Sequence, residues 1–351
     1  MNSPKSPPNT SLTSVQDLIA AQLVRPDQAE GLAQVAAEFR IRISPEMRAA
    51  MSPGLGAQFL PDLRELITRP EELTDPIGDD AYSPTKGLTH RYPDRVILAV
   101  THACEVYCRF CFRREVVGES AALPEDDLDA ALTYIAQTPT IWEVILTGGD
   151  PMSLSPRRIA AIMARLSAIA HVQIVRLHTR VPVVAPQRVD SAMIAALRAR
   201  PTVYVGIHTN HPDELTPAAR AALARLAQAG IAMVSQTVLL RGVNDDAAVL
   251  ERLFRALLTL RVLPYYLHHC DLARGAGHFR TTIAQGQAIM AQLRGRMSGI
   301  GLPTYVLDIP GGYGKVPIGP DYLIRDQDGY LVIDWQGGQH RYRDPDPNSC
   351  G

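Results

Sequence analysis

Residues 96–111 read VILAVTHACEVYCRFC. The apolar, largely β-branched run from Val96 to Thr101 predicts a strand, and it leads directly into Cys104, Cys108 and Cys111 at C-x3-C-x2-C spacing. Thiols gathered this closely are metal ligands rather than incidental buried cysteines. Three thiolates can take three irons of a cubic 4Fe-4S cluster and leave the fourth iron open for a small molecule to chelate. A closed zinc site would want a fourth ligand. His102 can be offered for it, or can equally be an ordinary loop histidine. Tyr107 and Phe110, between the ligands, suit either shielding of a cluster or plain loop packing.

Outward from this stretch, apolar strand-like runs alternate with amphipathic helical ones. Strands are expected at 96–101, 143–146, 172–177, 203–207, 232–239, 263–267 and 304–307, with helices at 126–136, 156–168, 191–199, 217–229, 247–260 and 284–297. Strand-helix alternation with apolar strands implies parallel strands covered by helices. The fold class is therefore α/β, a barrel or partial barrel of the (β/α)6 TIM type, with reactive groups at the C-terminal ends of its strands. Residues 1–13, rich in Pro, Ser, Thr and Asn, read as a flexible tail. Residues 14–89 read as an N-terminal helical extension, 90–309 as the barrel, and 310–351 as a C-terminal segment with a small β-hairpin around Asp328-Gly329.

Lys plus Arg number 35 against 36 Asp plus Glu, so no bulk charge recommends nucleic acid or an anionic membrane as partner. A small polar substrate fits better. No stretch has the length of a signal peptide's apolar core or a membrane span, and five cysteines with three clustered are no disulfide framework. Both point to the cytoplasm.

Two further motifs follow expected strands. LTGGDPMSL places Gly148, Gly149 and Asp150 after the second strand. Paired glycines permit close backbone approach, and a carboxylate can pair with an ammonium group. DIPGGYGKVP presents Lys315 on a glycine-rich loop after the last barrel strand, which leaves an amine accessible, as a Schiff-base lysine requires.

The cysteine spacing resembles the radical S-adenosylmethionine superfamily, in which the open iron is chelated by S-adenosylmethionine (SAM) and its reductive cleavage gives a 5'-deoxyadenosyl radical. Gly148, Gly149 and Asp150 look like that superfamily's GGE-type motif, which holds the methionyl amino group. HRYPDR, CRFCFRREVVG, LTGGDP, TRVPVV, NHPDE, LLRGVND, CDLARGAGHFRT and PGGYGK, in this order from His90 to Pro317, together resemble the lysine 2,3-aminomutase family.

That resemblance implies a set of roles. Lys315 carries pyridoxal 5'-phosphate (PLP), with Arg91, Tyr92 and Arg95 against it. Arg113 binds the substrate carboxylate, and Asp271 and Asp308 hold the distal ammonium. Two anions around one cation select a basic side chain and reject an acidic one, so glutamate-specific relatives would lack at least one of them. Gln236 and His208 face the same cavity at strand ends and are assigned to SAM. The implied activity is PLP-dependent migration of the amino group from carbon 2 to carbon 3 of lysine, in an isomerase reduced by flavodoxin or ferredoxin. Related readings are a β-lysine-forming enzyme for elongation factor P and an aminomutase for another amino acid, and a different class is an iron-sulfur redox protein. The latter would want four protein ligands and has no use for Lys315, Asp271 and Asp308. Longer family members carry a zinc-binding cysteine just after GVND and a C-terminal cysteine cluster. Here Asp246 follows Asp245 and the tail holds only Cys350. No structural zinc is expected, and a homo-oligomer cannot be taken from metal linkage.

Overall fold

The protein is seen in a computed structural model that describes residues 10–118, 122–327 and 329–345. Nine strands form one sheet in chain order: β1 (Leu88–Tyr92), β2 (Arg95–Thr101), β3 (Glu143–Gly148), β4 (Ile174–Thr179), β5 (Thr202–His208), β6 (Ala232–Leu239), β7 (Val262–His269), β8 (Thr304–Ile309) and β9 (Gly314–Pro317). β2 to β8 run parallel, while β1 and β9 pair antiparallel at the two edges. The result is a partial α/β barrel with a β-hairpin at each rim.

Helices over Glu125–Gln137, Pro156–Ser167, Pro217–Gln228, Ala247–Thr259 and Ile283–Arg294 cover the outer face. Their starts are written locally. Ser155 and Thr216 accept a bond from the third helical N–H with proline at the first helical position, and Thr282 and Gln285 form a capping box. Asp246, standing where longer relatives are expected to have a zinc ligand, caps Ala247–Thr259 by accepting from the N–H of Ala248 and Val249. Each helix buries one stripe. Ile159, Ile162, Met163 and Leu166 are buried at helical spacing, and each such side chain contributes about 1.5–3 kcal/mol.

Burial alternates along β2 and β4, because one face of each strand meets helices while the other meets the open interior of the barrel. That interior face is why Arg176, His178, His208, Gln236, His268 and Asp308 interrupt otherwise apolar strands.

The structure departs from the sequence reading in four places. β4 starts two residues late, because Gln173 and Ile174 are first tied through their N–H groups to the carbonyl of Trp142. No strand is expected before Val96, yet Leu88–Tyr92 forms one and folds back on β2 across the Pro93-Asp94 turn. Lys315 stands on strand β9, paired with β8, rather than on a free loop. Residues 1–9 of the expected tail lie outside the described residues, but Leu12 is buried and exchanges both backbone hydrogen bonds with Ile43. An apolar residue with a strand partner does not stay in a tail. Toward the C-terminus, β10 (Leu323–Asp326) and β11 (Gly329–Ile333) make the expected hairpin, and β12 (Gln339–Tyr342) adds a third strand.

The N-terminal extension lies against the C-terminal end of the barrel and shares its hydrophobic core. Leu18, Ile43, Leu55 and Phe59 belong to the same packed cluster as Leu98, Leu146 and Leu177. Its backbone also meets the cysteine loop, with Tyr107 N–H donating to the carbonyl of Arg42 at 2.9 Å and Arg109 N–H to that of Gln58 at 2.8 Å.

Candidate active site

At the C-terminal ends of the strands lies one cavity. Cys104, Cys108, Cys111, Arg113, Gly148, Gly149, Asp150, His208, Gln236, Asp271, Asp308 and Lys315 all line it. Of the residues singled out in the sequence, Arg91, Tyr92 and Arg95 stand outside that lining, as do His102 and Tyr107.

The three cysteines are free thiols. Burial pushes each above its ordinary range, Cys111 to about 11, so here a cation or metal must favour the thiolate. One such cation is in place, with Arg180 Nη1 2.7 Å from Cys108 Sγ. No three His, Cys, Asp or Glu among the described residues are gathered on one ion. A cubane does not ask for that, because each thiolate takes a different iron. The loop's position is fixed by ion pairs on both sides of Cys111. Buried Glu65 receives Arg109 Nε and Nη2 at 2.9 and 2.6 Å and also pairs with Arg114.

The two glycines are required by the loop's own packing. A Cβ on Gly148 would lie 2.3 Å from the carbonyl oxygen of Thr101, and one on Gly149 2.3 Å from that of Ala103. Asp150 likewise differs from the expectation of a carboxylate awaiting an ammonium group. One oxygen accepts from Thr179 Oγ1 at 2.6 Å and Met152 N–H at 3.0 Å, the other from the N–H of Arg180 at 2.6 Å and Val181 at 3.1 Å. A carboxylate has about four acceptor positions, and all are taken. Burial raises Asp150 to about 6 against these bonds.

On the opposite wall Lys315 Nζ sits 2.7 Å from Asp308 Oδ1, and His268 Nδ1 lies 3.6 Å from Asp308 Oδ2. Burial would raise Asp308, but His268 and Lys315 outweigh it and hold the carboxyl at about 2. Asp271 goes the other way, pushed up to about 7 by burial and by the charge of Asp308. Burial and neighbouring His268 push His208 down to about 3, and burial also lowers His178 and His268. In all three, burial favours the neutral imidazole. His208 Nε2 and His268 Nε2 are buried without a partner. A polar molecule in the cavity would satisfy them, so the lining fits bound cofactors.

Tyr92 reaches this wall through the backbone, its hydroxyl accepting from Lys315 N–H at 2.8 Å. Arg95 stacks on the Tyr92 ring at 3.7 Å and pairs with Asp94. Arg91 binds Asp79 and the carbonyl of Ile77.

Residues 98–253 match the family model described as Radical SAM superfamily, and residues 290–350 the one described as Lysine-2,3-aminomutase. Over 343 residues the chain is 40% identical to the L-lysine 2,3-aminomutase of Fusobacterium nucleatum, an alignment covering 95% of this chain and 80% of that one. The chain belongs to the lysine 2,3-aminomutase family. The L-lysine 2,3-aminomutase of Clostridium subterminale is 40% identical over 326 residues, covering 91% and 78% of the two chains. The glutamate 2,3-aminomutase of Clostridioides difficile is 35% identical over 337 residues, covering 93% and 79%.

Several groups of this lysine 2,3-aminomutase family member escaped the sequence reading. Arg180 and Glu214 fell within TRVPVV and NHPDE but carried no role. They form a buried pair at 2.7 Å that also takes in Gln58. His178 and His268 follow an alternation that names the barrel interior only once the strands are placed. Asp79, in an acidic turn, has no signal of its own.

Proposed function

We propose that this family member is an L-lysine 2,3-aminomutase, an isomerase that carries the amino group of L-lysine from carbon 2 to carbon 3 and uses a 4Fe-4S cluster, SAM and PLP. The observation that supports lysine is the distal end of the cavity, where Asp271 and Asp308 stand together and an ammonium, that of Lys315, already rests on Asp308. Two carboxylates lining one cavity favour a basic side chain and leave glutamate's carboxylate facing like charge.

With the cofactors bound, the cluster and SAM would supply the radical chemistry, and PLP would supply a π-system conjugated with the migrating nitrogen. The chain's own groups bind and orient. Cys104, Cys108 and Cys111 ligate the cluster. Gly148, Gly149, Asp150, His208 and Gln236 line the space for SAM, where neutral His208 and the Gln236 amide offer hydrogen bonds without adding charge. Lys315 gives the amine that holds PLP. Tyr92 fixes the backbone of Lys315, with Arg91 and Arg95 behind it. Arg113 takes the substrate carboxylate in its planar fork. Ile77, Phe110, Phe112, Val184 and Val238 line the same cavity and keep water from the radical chemistry.

We assign the extension to residues 14–89, the catalytic barrel to 90–309 and the PLP-lysine segment to 310–351. No helix among the described residues is long and apolar enough to cross a membrane, and we place the enzyme in the cytoplasm with a flavodoxin or ferredoxin as electron donor. Exposed Leu323 and Tyr342 on the C-terminal sheet, with Trp335 in the turn between β11 and β12, support assembly into a homo-oligomer.

The reconstituted, reduced protein is incubated anaerobically with lysine, glutamate or arginine and the products are separated chromatographically. β-Lysine from lysine alone is the expected result. β-Glutamate, or no rearranged amino acid from a fully loaded protein, would overturn the assignment.

A further inference from the structure

Asp79 lies on a turn of the N-terminal extension shortly before β1, and its carboxylate joins two arginines. One oxygen accepts from Arg91 Nη2 at 2.9 Å, the other from Arg113 Nη2 at 2.8 Å. The turn that carries it is firmly held. The two oxygens of Asp75 accept from the N–H of Asp79 and Asp80, each at 3.0 Å, and Arg91 Nη2 also donates to the carbonyl of Ile77 at 2.6 Å. Gly78, at φ +66°, lies so close to the lysine segment that a Cβ there would stand 2.5 Å from the nitrogen of Gly312. The carboxylate of Asp79 is thus a fixed point between the cysteine loop, which carries Arg113, and the PLP-lysine segment.

We propose that Asp79 is the positioning residue for Arg113 and sets the charge of the substrate-carboxylate end of the site. Arg91 and Arg113 alone would put two positive charges side by side, and their repulsion would turn Arg113 away. Asp79 bridges them and leaves a net charge of +1, matched to the single carboxylate of an α-amino acid. It engages one terminal nitrogen of Arg113 and fixes the plane of the fork, so the substrate meets a guanidinium already oriented. The inference rests on the assignment of Arg113 to the substrate carboxylate.

The test compares L-lysine with cadaverine, which keeps the distal ammonium and lacks the carboxylate. Equilibrium binding of each is measured on the reconstituted holoenzyme for the parent, Asp79→Asn, Asp79→Glu and Arg113→Met, with KM and kcat for lysine alongside. Asp79→Asn should weaken lysine binding and raise KM by about tenfold or more, change kcat much less, and leave cadaverine binding as in the parent. Asp79→Glu, which keeps the charge, should fall between parent and Asn. Equal weakening of lysine and cadaverine would make Asp79 a merely structural residue and overturn the inference, as would unchanged lysine binding in Asp79→Asn while Arg113→Met loses it. Unchanged lysine binding in Arg113→Met would instead refute the role given to Arg113.

Discussion

Lys315 and Asp308 face each other across the antiparallel pair of β8 and β9, with Nζ 2.7 Å from Oδ1. Residues directly opposite in such a pair project from the same face, so the strand register itself brings together the amine assigned to PLP and one of the two carboxylates assigned to the distal ammonium. Asp308 is therefore not independent of the PLP-bearing group. A substitution there will disturb Lys315 as well as substrate, and the cleaner probe of specificity is Asp271.

Asp271→Asn removes one of the two anions assigned to the distal ammonium. Leaving a desolvated charge half compensated costs about 3–5 kcal/mol, so the lysine requirement should rise roughly a hundredfold or more at about 1.4 kcal/mol per factor of ten. In the parent the same carboxyl titrates at about 7, and only its ionised form attracts the ammonium, so KM for lysine should increase as pH falls below about 7. Stability moves in the opposite sense. A carboxyl raised from its ordinary value near 4 to about 7 binds more protons folded than unfolded, so its contribution is present below pH 4 and is lost as pH rises through 7. Asp271→Asn should then melt above the parent at pH 8, with the difference closing toward pH 4. A KM for Asp271→Asn equal to the parent's would remove the main physical support for lysine.

Cys108→Ala and Lys315→Ala should separate the two halves of the site. The first removes a thiolate and with it the cluster's iron and SAM cleavage. The second should retain iron and cleave SAM slowly, yet hold no PLP after borohydride reduction and form no rearranged product. Iron and PLP analysis of both proteins checks this. Full iron in Cys108→Ala, or a pyridoxyl group found on another lysine, would contradict the assignment.

Glu65 tests the link between extension and cluster loop. Arg109 and Arg114 both converge on it out of contact with solvent. Glu65→Ala strands two buried guanidinium groups, at a cost of about 3–5 kcal/mol. The urea midpoint should fall accordingly, and iron should pass faster to a chelator because the cysteine loop loses its anchor. Identical urea curves for the parent and Glu65→Ala would show that the pair anchors nothing.

The strands and covering helices of the barrel were legible because their signals are local. Apolar strand runs, helical stripes and Ser-Pro or Thr-Pro helix starts act within a few residues, and the cysteine spacing lies within one turn of chain. The reach of the site into one cavity was also implied, since parallel strands present their C-terminal ends together. What the sequence could not carry was register and pairing. Only the folded chain sets Asp308 opposite Lys315, turns Leu88–Tyr92 back on β2, spends the oxygens of Asp150 on four protein donors, and lays Glu65, Gln58 and Asp79 against arginines that are distant in sequence. Ion pairs and hydrogen bonds between such positions depend on separations of a few ångströms fixed by packing of the whole barrel. No local pattern encodes them.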